Sequence, residues 1–277
     1  MIMNELRHRA MQMSPLCVGI DLRESHIPKE LSDLPIGEQF TQYAREIIES
    51  SKDYAACYKV QIACYECYGI EGLLAYKNIL QMIRKSGHIA IADIKRGDIG
   101  STAEMYAKGH FAGDFEADIV TLNAYMGEDA ISPYADYVKE NKGAFILGKT
   151  SNTGSRDFQD LKVGEKFLYE RVIEKIGGWN KALENYEGFG GFGAVVGVNN
   201  ADDIKLLKEI TSDLFLLIPG YGAQGAKIED ISALVRENKN GVINVSRGYT
   251  ANISGDFRKV LRERAVTLAG ELRQCFK

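Results

Sequence analysis

Between His88 and Gly100 the chain reads HIAIADIKRGDIG, an apolar run that breaks into Asp93, Lys95, Arg96 and Asp98. Carboxylates and an ammonium so close together can serve as a structural ion-pair ladder. They can also hold a fixed cation where negative charge develops during a reaction, as a preorganised donor does. Asp93 and Lys95 are two residues apart and share a face if the segment is a strand. Lys59 and Gln61, in YAACYKVQ, share a face for the same reason. Neighbouring strands stand about 4.8 Å apart, so Lys59, Asp93 and Lys95 can form one array. Asp98 comes three residues later, in a turn, and falls outside that row.

A second group lies toward the carboxyl end, in IPGYGAQG (218–225) and VSRGYT (245–250). Glycine lets backbone N–H groups approach an anion closely. Arg247 offers a two-pronged, charge-assisted donor, and Gln224 can donate from its amide. The chain thus carries a phosphate grip in one region and a Lys/Asp array in another. No histidine or cysteine constellation competes for a nucleophilic role. The five cysteines, Cys17, Cys57, Cys64, Cys67 and Cys275, match no disulfide framework. Cys64 and Cys67 form a lone C-x-x-C, without the second pair or histidines of a zinc site, and read as packing thiols.

Positioning these residues requires strands that end near one another. Eight short β-branched runs recur: 16–21, 54–61, 88–95, 117–123, 143–150, 193–199, 214–220 and 241–247. Amphipathic helical stretches lie between them, such as EQFTQYAREIIES, EGLLAYKNILQMIRKS, ADDIKLLKEI and FRKVLRERAVTLAGEL. Eight strands, each followed by helical sequence, describe a (β/α)8 TIM barrel; a doubly wound sheet usually has fewer strands. In such a barrel, reactive residues gather where strands end, and the loops after strands seven and eight usually hold phosphate. Here most strands close on something polar: Asp21, Lys59 and Gln61, Asp93 and Lys95, Asn123, Lys149 to Ser151, Ser246 and Arg247. No linker divides the 277 residues, so the expectation is a single barrel domain over 1–277. One insertion, about 151–192 after strand five, carries a further helical stretch, GEKFLYERVIEKIGGWNKALEN. GFGGFG (188–193) satisfies a dinucleotide fingerprint but precedes a strand instead of following one, which makes it an entry loop.

Composition narrows the partners. A net charge of −4 gives no basic footprint for nucleic acid. No apolar run approaches the roughly 20 residues needed to span a bilayer. The first residues carry charges throughout and lack the apolar core of a signal peptide, so the expected location is cytoplasmic.

DIKRGDIGST resembles the D-x-K-x-x-D-I-x-x-T signature of the orotidine 5′-phosphate decarboxylase family, and PGYGAQG is similar to that family's P-G-x-G-A-Q-G loop. The resemblance runs from Asp21 to Arg247. The chain length, YKVQIACYE and LGKTSNTGS resemble the second, longer branch of the family. It implies a homodimer of (β/α)8 barrels that converts orotidine 5′-monophosphate to uridine 5′-monophosphate and carbon dioxide, with no cofactor and no metal. By position, Lys95 matches the lysine that protonates carbon 6 of the pyrimidine. Asp93 matches the carboxylate that crowds the substrate carboxylate, and Lys59 the lysine that holds the array together. Asp98 and Thr102 match residues reaching into the partner subunit's site. Asp21 and Lys59 match ribose contacts, with Gln61 where relatives often carry Asn. Ser151 matches the residue that reads the pyrimidine. Pro219, Gln224, Ser246 and Arg247 match the phosphate end, with Ser246 where many relatives have Gly.

The nearest rival is a sugar-phosphate decarboxylase or hexulose-phosphate synthase, which shares D-x-K-x-x-D. Those enzymes use Mg²⁺ held partly by a Glu at the end of strand two. This chain has Lys59 and Gln61 there, a poor site for a hard cation. A second rival is a catalytically dead barrel that only binds; Lys95 and Asp93, whose loss would have marked it, are both present.

Overall fold

The computed structural model describes residues 1–198, 203–222 and 226–277. From the amino end run α1 (Ile2–Gln12), β1 (Leu16–Gly19), α2 (Ile36–Ser51), β2 (Cys57–Gln61), α3 (Ala63–Glu66) and α4 (Gly69–Lys85). Next come β3 (Ile89–Arg96), α5 (Gly100–Phe111), β4 (Ile119–Leu122), α6 (Ser132–Ala135) and β5 (Gly143–Lys149). A two-stranded hairpin, β6 (Lys162–Val163) and β7 (Lys166–Phe167), leads into α7 (Leu168–Lys181) and β8 (Phe192–Val196). The chain closes with α8 (Ile204–Ile210), β9 (Leu216–Ile218), α9 (Ile228–Val235), β10 (Gly241–Val245), α10 (Arg247–Thr250) and α11 (Phe257–Leu272).

Eight of the strands form a closed parallel barrel in the order β1-β10-β9-β8-β5-β4-β3-β2. Parallel neighbours need crossovers long enough for a helix, which the amphipathic stretches between the strands supply. Each of the eight predicted strands is present, shortened by one to three residues at several ends. Within 151–192 the structure places the small hairpin and α7, and α7 packs on β5 and β8 as the crossover helix between them. Among the described residues, no helix is long and apolar enough to cross a membrane.

Two apolar layers follow from strand alternation. One lies between barrel and helices and includes Tyr43, Ile47, Tyr76, Ile79, Tyr249 and Leu261. The other fills the barrel, with Cys17, Cys57, Ile91, Ile119, Phe145 and Leu217, and α1 covers its base with Ile2, Met3 and Leu6. Moving two residues up from this inner layer replaces apolar side chains with polar ones: Cys57 gives way to Lys59, Ile91 to Asp93, Ile119 to Thr121. That change makes the upper mouth of the barrel a polar cup on a greasy floor.

GFGGFG lies at the opposite end and runs into β8, whose first two residues are its Phe192 and Gly193. Asn180 donates to the Phe189 carbonyl and accepts from the Phe192 N–H. Gly190 has φ 67°, and a side chain there would collide with Asn180. These glycines make a turn pinned by an asparagine, consistent with an entry loop.

Candidate active site

Lys59 projects from β2 at an inward position and is 5% exposed. Its ammonium lies 3.0 Å from Asp21 Oδ1, just past β1, and 3.0 Å from Asp93 Oδ2 on β3. The other Asp93 oxygen accepts from Lys95 Nζ at 2.6 Å and from the Thr121 hydroxyl at 2.8 Å. The Gln61 N–H donates to Asp21 Oδ1 at 3.2 Å. The barrel mouth therefore carries carboxylate, ammonium, carboxylate, ammonium in unbroken contact. Burial works against the charge on Lys59, but Asp21 and then Asp93 carry its pKa above the ordinary lysine value. Burial would likewise raise Asp93, and the Lys59 and Lys95 ammonium groups hold it well below the usual carboxylate range. The Lys95 side chain is 46% exposed, so the array ends in a cation at the open side of the cup.

Plain alternation does not bring Asp93 and Lys95 together. The register of β3 against β4 slips between Ala92 and Arg96, and Lys95 has φ 47°. A left-handed conformation costs a residue with a side chain roughly 1–2 kcal/mol, and such strain collects at functional sites. The expected contact is present, made by a bulge instead of a regular strand.

A cavity of about 210 Å³ adjoins the array, lined by Asp21, Gln61, Pro219, Ser246 and Arg247 among the residues singled out from sequence. Arg23, Cys64, Tyr221 and Asn244 complete much of its wall. Neither the Arg23 nor the Arg247 guanidinium has an ion-pair or hydrogen-bond partner among the described residues, and the Ser246 hydroxyl is buried without one. His26 has a lowered pKa, first through burial and then through Arg23, with Arg247 adding a smaller push. This end of the cup is electropositive and holds donors without acceptors, the chemistry an anion would complete. Cys64 belongs to this wall, and burial pushes its thiol up to about 11, which leaves it protonated and unreactive.

Ser151 follows β5 and lies against Gly197, where a Cβ would come within 2.8 Å of the Ser151 nitrogen. Gln159 grips the preceding residue twice, accepting from the Thr150 N–H and donating to its hydroxyl, both at 2.8 Å. Asp98 lies in the loop after β3, half-buried, where it accepts from the Ile99 N–H. Thr102 is exposed on the first turn of α5. Neither lines the cavity. Gln224 lies outside the described residues.

Asn123, expected at the end of strand four, instead closes a turn by accepting from the Tyr125 N–H. Thr121 is the residue of that strand that reaches the site. Inward alternation along IVTL, carried one step below the strand end, is the signal that points to it. Arg23 had no comparable signal, since it follows a strand in an irregular stretch.

The protein-family profile described as "Orotidine 5'-phosphate decarboxylase / HUMPS family" matches residues 14–255. Over 284 residues the chain is 42% identical to the orotidine 5′-phosphate decarboxylase of Clostridium acetobutylicum, with 99% of each chain covered. Against that of Clostridium kluyveri it is 47% identical over 253 residues, 90% of this chain and 87% of the relative. Among solved structures, the Leishmania donovani OMP decarboxylase superposes with a TM-score of 0.79 at 29% identity, covering 100% of this chain and 99% of that one. Profile, relatives and barrel agree: the chain belongs to the orotidine 5′-phosphate decarboxylase / HUMPS family.

Proposed function

We propose that this protein decarboxylates orotidine 5′-monophosphate to uridine 5′-monophosphate and carbon dioxide, the step that completes a pyrimidine nucleotide. The observation that carries the reading is the Asp21–Lys59–Asp93–Lys95 array beside a cavity with two unpartnered arginines. Breaking the bond between carbon 6 and the carboxylate leaves an electron pair on carbon 6 that the ring delocalises poorly. Lys95 is the one array cation on the open side, and Asp93 holds its ammonium in place. It stabilises the developing charge and then transfers a proton to carbon 6, regaining one from solvent. Asp93, ionised throughout the neutral range, stands against the substrate carboxylate in the ground state. Arg247 and Ser246 hold the phosphate, Asp21 and Lys59 the ribose, and Ser151 reads the base. Binding energy from the phosphate offsets the cost of crowding at carbon 6.

The cation between Asp21 and Asp93 is the Lys59 ammonium. A divalent metal at that position would meet a like charge, which favours the metal-independent branch of the family over the sugar-phosphate enzymes. The test is incubation of chelator-dialysed protein with orotidine 5′-monophosphate and identification of the products. Stoichiometric uridine 5′-monophosphate and carbon dioxide support the reading. No conversion without added Mg²⁺ would transfer the chain to the sugar-phosphate side.

Asp98 and Thr102 act on the site of a second copy in this reading. Close to them in sequence Ile99 and Met105 are exposed apolar side chains, as are Tyr125 and Met126 in the loop after β4. Mixing inactive Lys95→Ala with inactive Asp98→Ala protein should restore part of the activity, because some hybrid sites regain both residues. No recovery after verified subunit exchange would place Asp98 within its own chain's site.

A further inference from the structure

Three residues of β3 face one residue of β4 at the centre of the array. Ala92 pairs with Val120 and Arg96 with Leu122, so Asp93, Ile94 and Lys95 stand against Thr121 alone. The left-handed turn at Lys95 takes its amide out of the regular ladder, and a buried N–H must then find another acceptor. That acceptor is the Thr121 hydroxyl, 2.9 Å from the Lys95 nitrogen. The same hydroxyl spends its own proton on Asp93 Oδ1, the oxygen that receives the Lys95 ammonium. Backbone N–H, hydroxyl, carboxylate and ammonium therefore form a closed ring that begins and ends on Lys95. Thr121 is 1% exposed and its hydroxyl has both roles filled, one as acceptor and one as donor.

We propose that Thr121 is a positioning residue for the decarboxylation, which sets the Lys95 ammonium against Asp93 by fixing both ends of the lysine. The proposal rests on the role of Lys95 given above. Thr121 touches neither the phosphate cavity nor Lys59, so it should govern turnover without governing nucleotide affinity. Alternation alone would let β3 run on without a bulge, and Asp93 would then lack a third donor. A single hydroxyl satisfies the displaced amide and the carboxylate together, and this explains why a hydroxyl stands at this inner position.

Thr121→Val keeps the shape and removes both hydrogen bonds, whereas Thr121→Ser keeps the hydroxyl. Thr121→Ala carries the same comparison if the valine variant does not fold. Misplacing a reacting group by about 1 Å can cost about 100-fold, so kcat of Thr121→Val should fall about 10- to 100-fold. Its affinity for uridine 5′-monophosphate should stay within about 3-fold of wild type, and Thr121→Ser should recover most of the rate. Unchanged kcat in Thr121→Val, equal losses of rate and affinity, or a serine variant as slow as the valine one would each overturn the proposal. A crystal structure of Thr121→Val supplies an arm independent of activity. It should show the Lys95 ammonium displaced from Asp93, and an unmoved lysine refutes the positioning role even if the substrate assignment is wrong. Absence of decarboxylation by the wild-type protein would instead refute the functional reading.

Discussion

Lys149 Nζ lies 2.7 Å from Asp203 Oδ2, a contact that ties the end of β5 to the residue capping the amino end of α8. Asp160, from the segment ahead of the hairpin, stands 3.5 Å away, and the Tyr169 ring lies 4.0 Å beneath the ammonium. One buried cation thus joins three separate stretches around Ser151.

Replacing Lys149 by methionine should leave Asp160 and Asp203 repelling each other across a partly buried gap. Removing one partner of a buried pair costs roughly 3–5 kcal/mol; both carboxylates here keep some solvent, so about 1–3 kcal/mol is expected. The melting temperature should fall and KM should rise more than kcat drops, because Ser151 loses its support. Thermal unfolding together with steady-state kinetics checks this. An unchanged KM would mean that Ser151 is held by Gly197 and Gln159 without help from the ion pair.

The pH dependence follows from the directions of two shifts. Asp93 is depressed, so the stability it contributes is present above about pH 4 and is lost as pH falls through its lower folded value. Lys59 is raised, so its contribution is present below about pH 10 and is lost as pH rises through its folded value. Between about pH 5 and 9 neither group changes charge, and kcat should show no inflection from either. KM should weaken on the acid side as the substrate phosphate, with a second pKa near 6, takes up a proton. A pH series of kcat and KM measured separately is the check. An acid limb in kcat that disappears in Asp93→Asn would contradict the assigned charge states.

Arg247→Ala should raise KM strongly. Loss of one partner in a charged, desolvated contact is worth roughly 2–5 kcal/mol, or about 30- to 5,000-fold in kcat/KM. Guanidinium ion added to the assay should restore part of this, since the truncated side chain leaves a space of matching shape. Arg23→Ala, at the same cavity, should shift KM in the same direction. Kinetics on the two variants, with and without guanidinium, decide it; an Arg247 variant with unchanged KM removes that residue from the phosphate site.

Much of this was legible in the sequence because barrels repeat one rule. A strand that ends in a polar residue at an inward position delivers it to the mouth, and Asp21, Lys59, Gln61 and Asp93 all follow that rule. Lys95 was found for the wrong reason: two-residue alternation suggested its contact with Asp93, but the structure makes that contact through a bulge that no local pattern announces. Thr121 and the wall contributed by Arg23 were harder to see. The first depends on a register slip between two strands distant in sequence, and the second on where an irregular turn folds back. The partners of Lys149 come from residues 11 and 54 positions away, a distance over which residue spacing carries no geometric information. Asn123 shows the opposite case, in which a polar residue at a strand end closes a local turn by accepting from the Tyr125 N–H.

The most direct test of the central claim separates binding from turnover in Lys95→Ala. Its decarboxylation rate and its affinity for uridine 5′-monophosphate should be measured side by side with wild type. In the proposed mechanism Lys95 is the cation beside the forming electron pair, while the phosphate and ribose contacts lie elsewhere in the cup. The variant should therefore bind uridine 5′-monophosphate with near wild-type affinity and show no detectable turnover of orotidine 5′-monophosphate. Substantial kcat in Lys95→Ala would contradict the account.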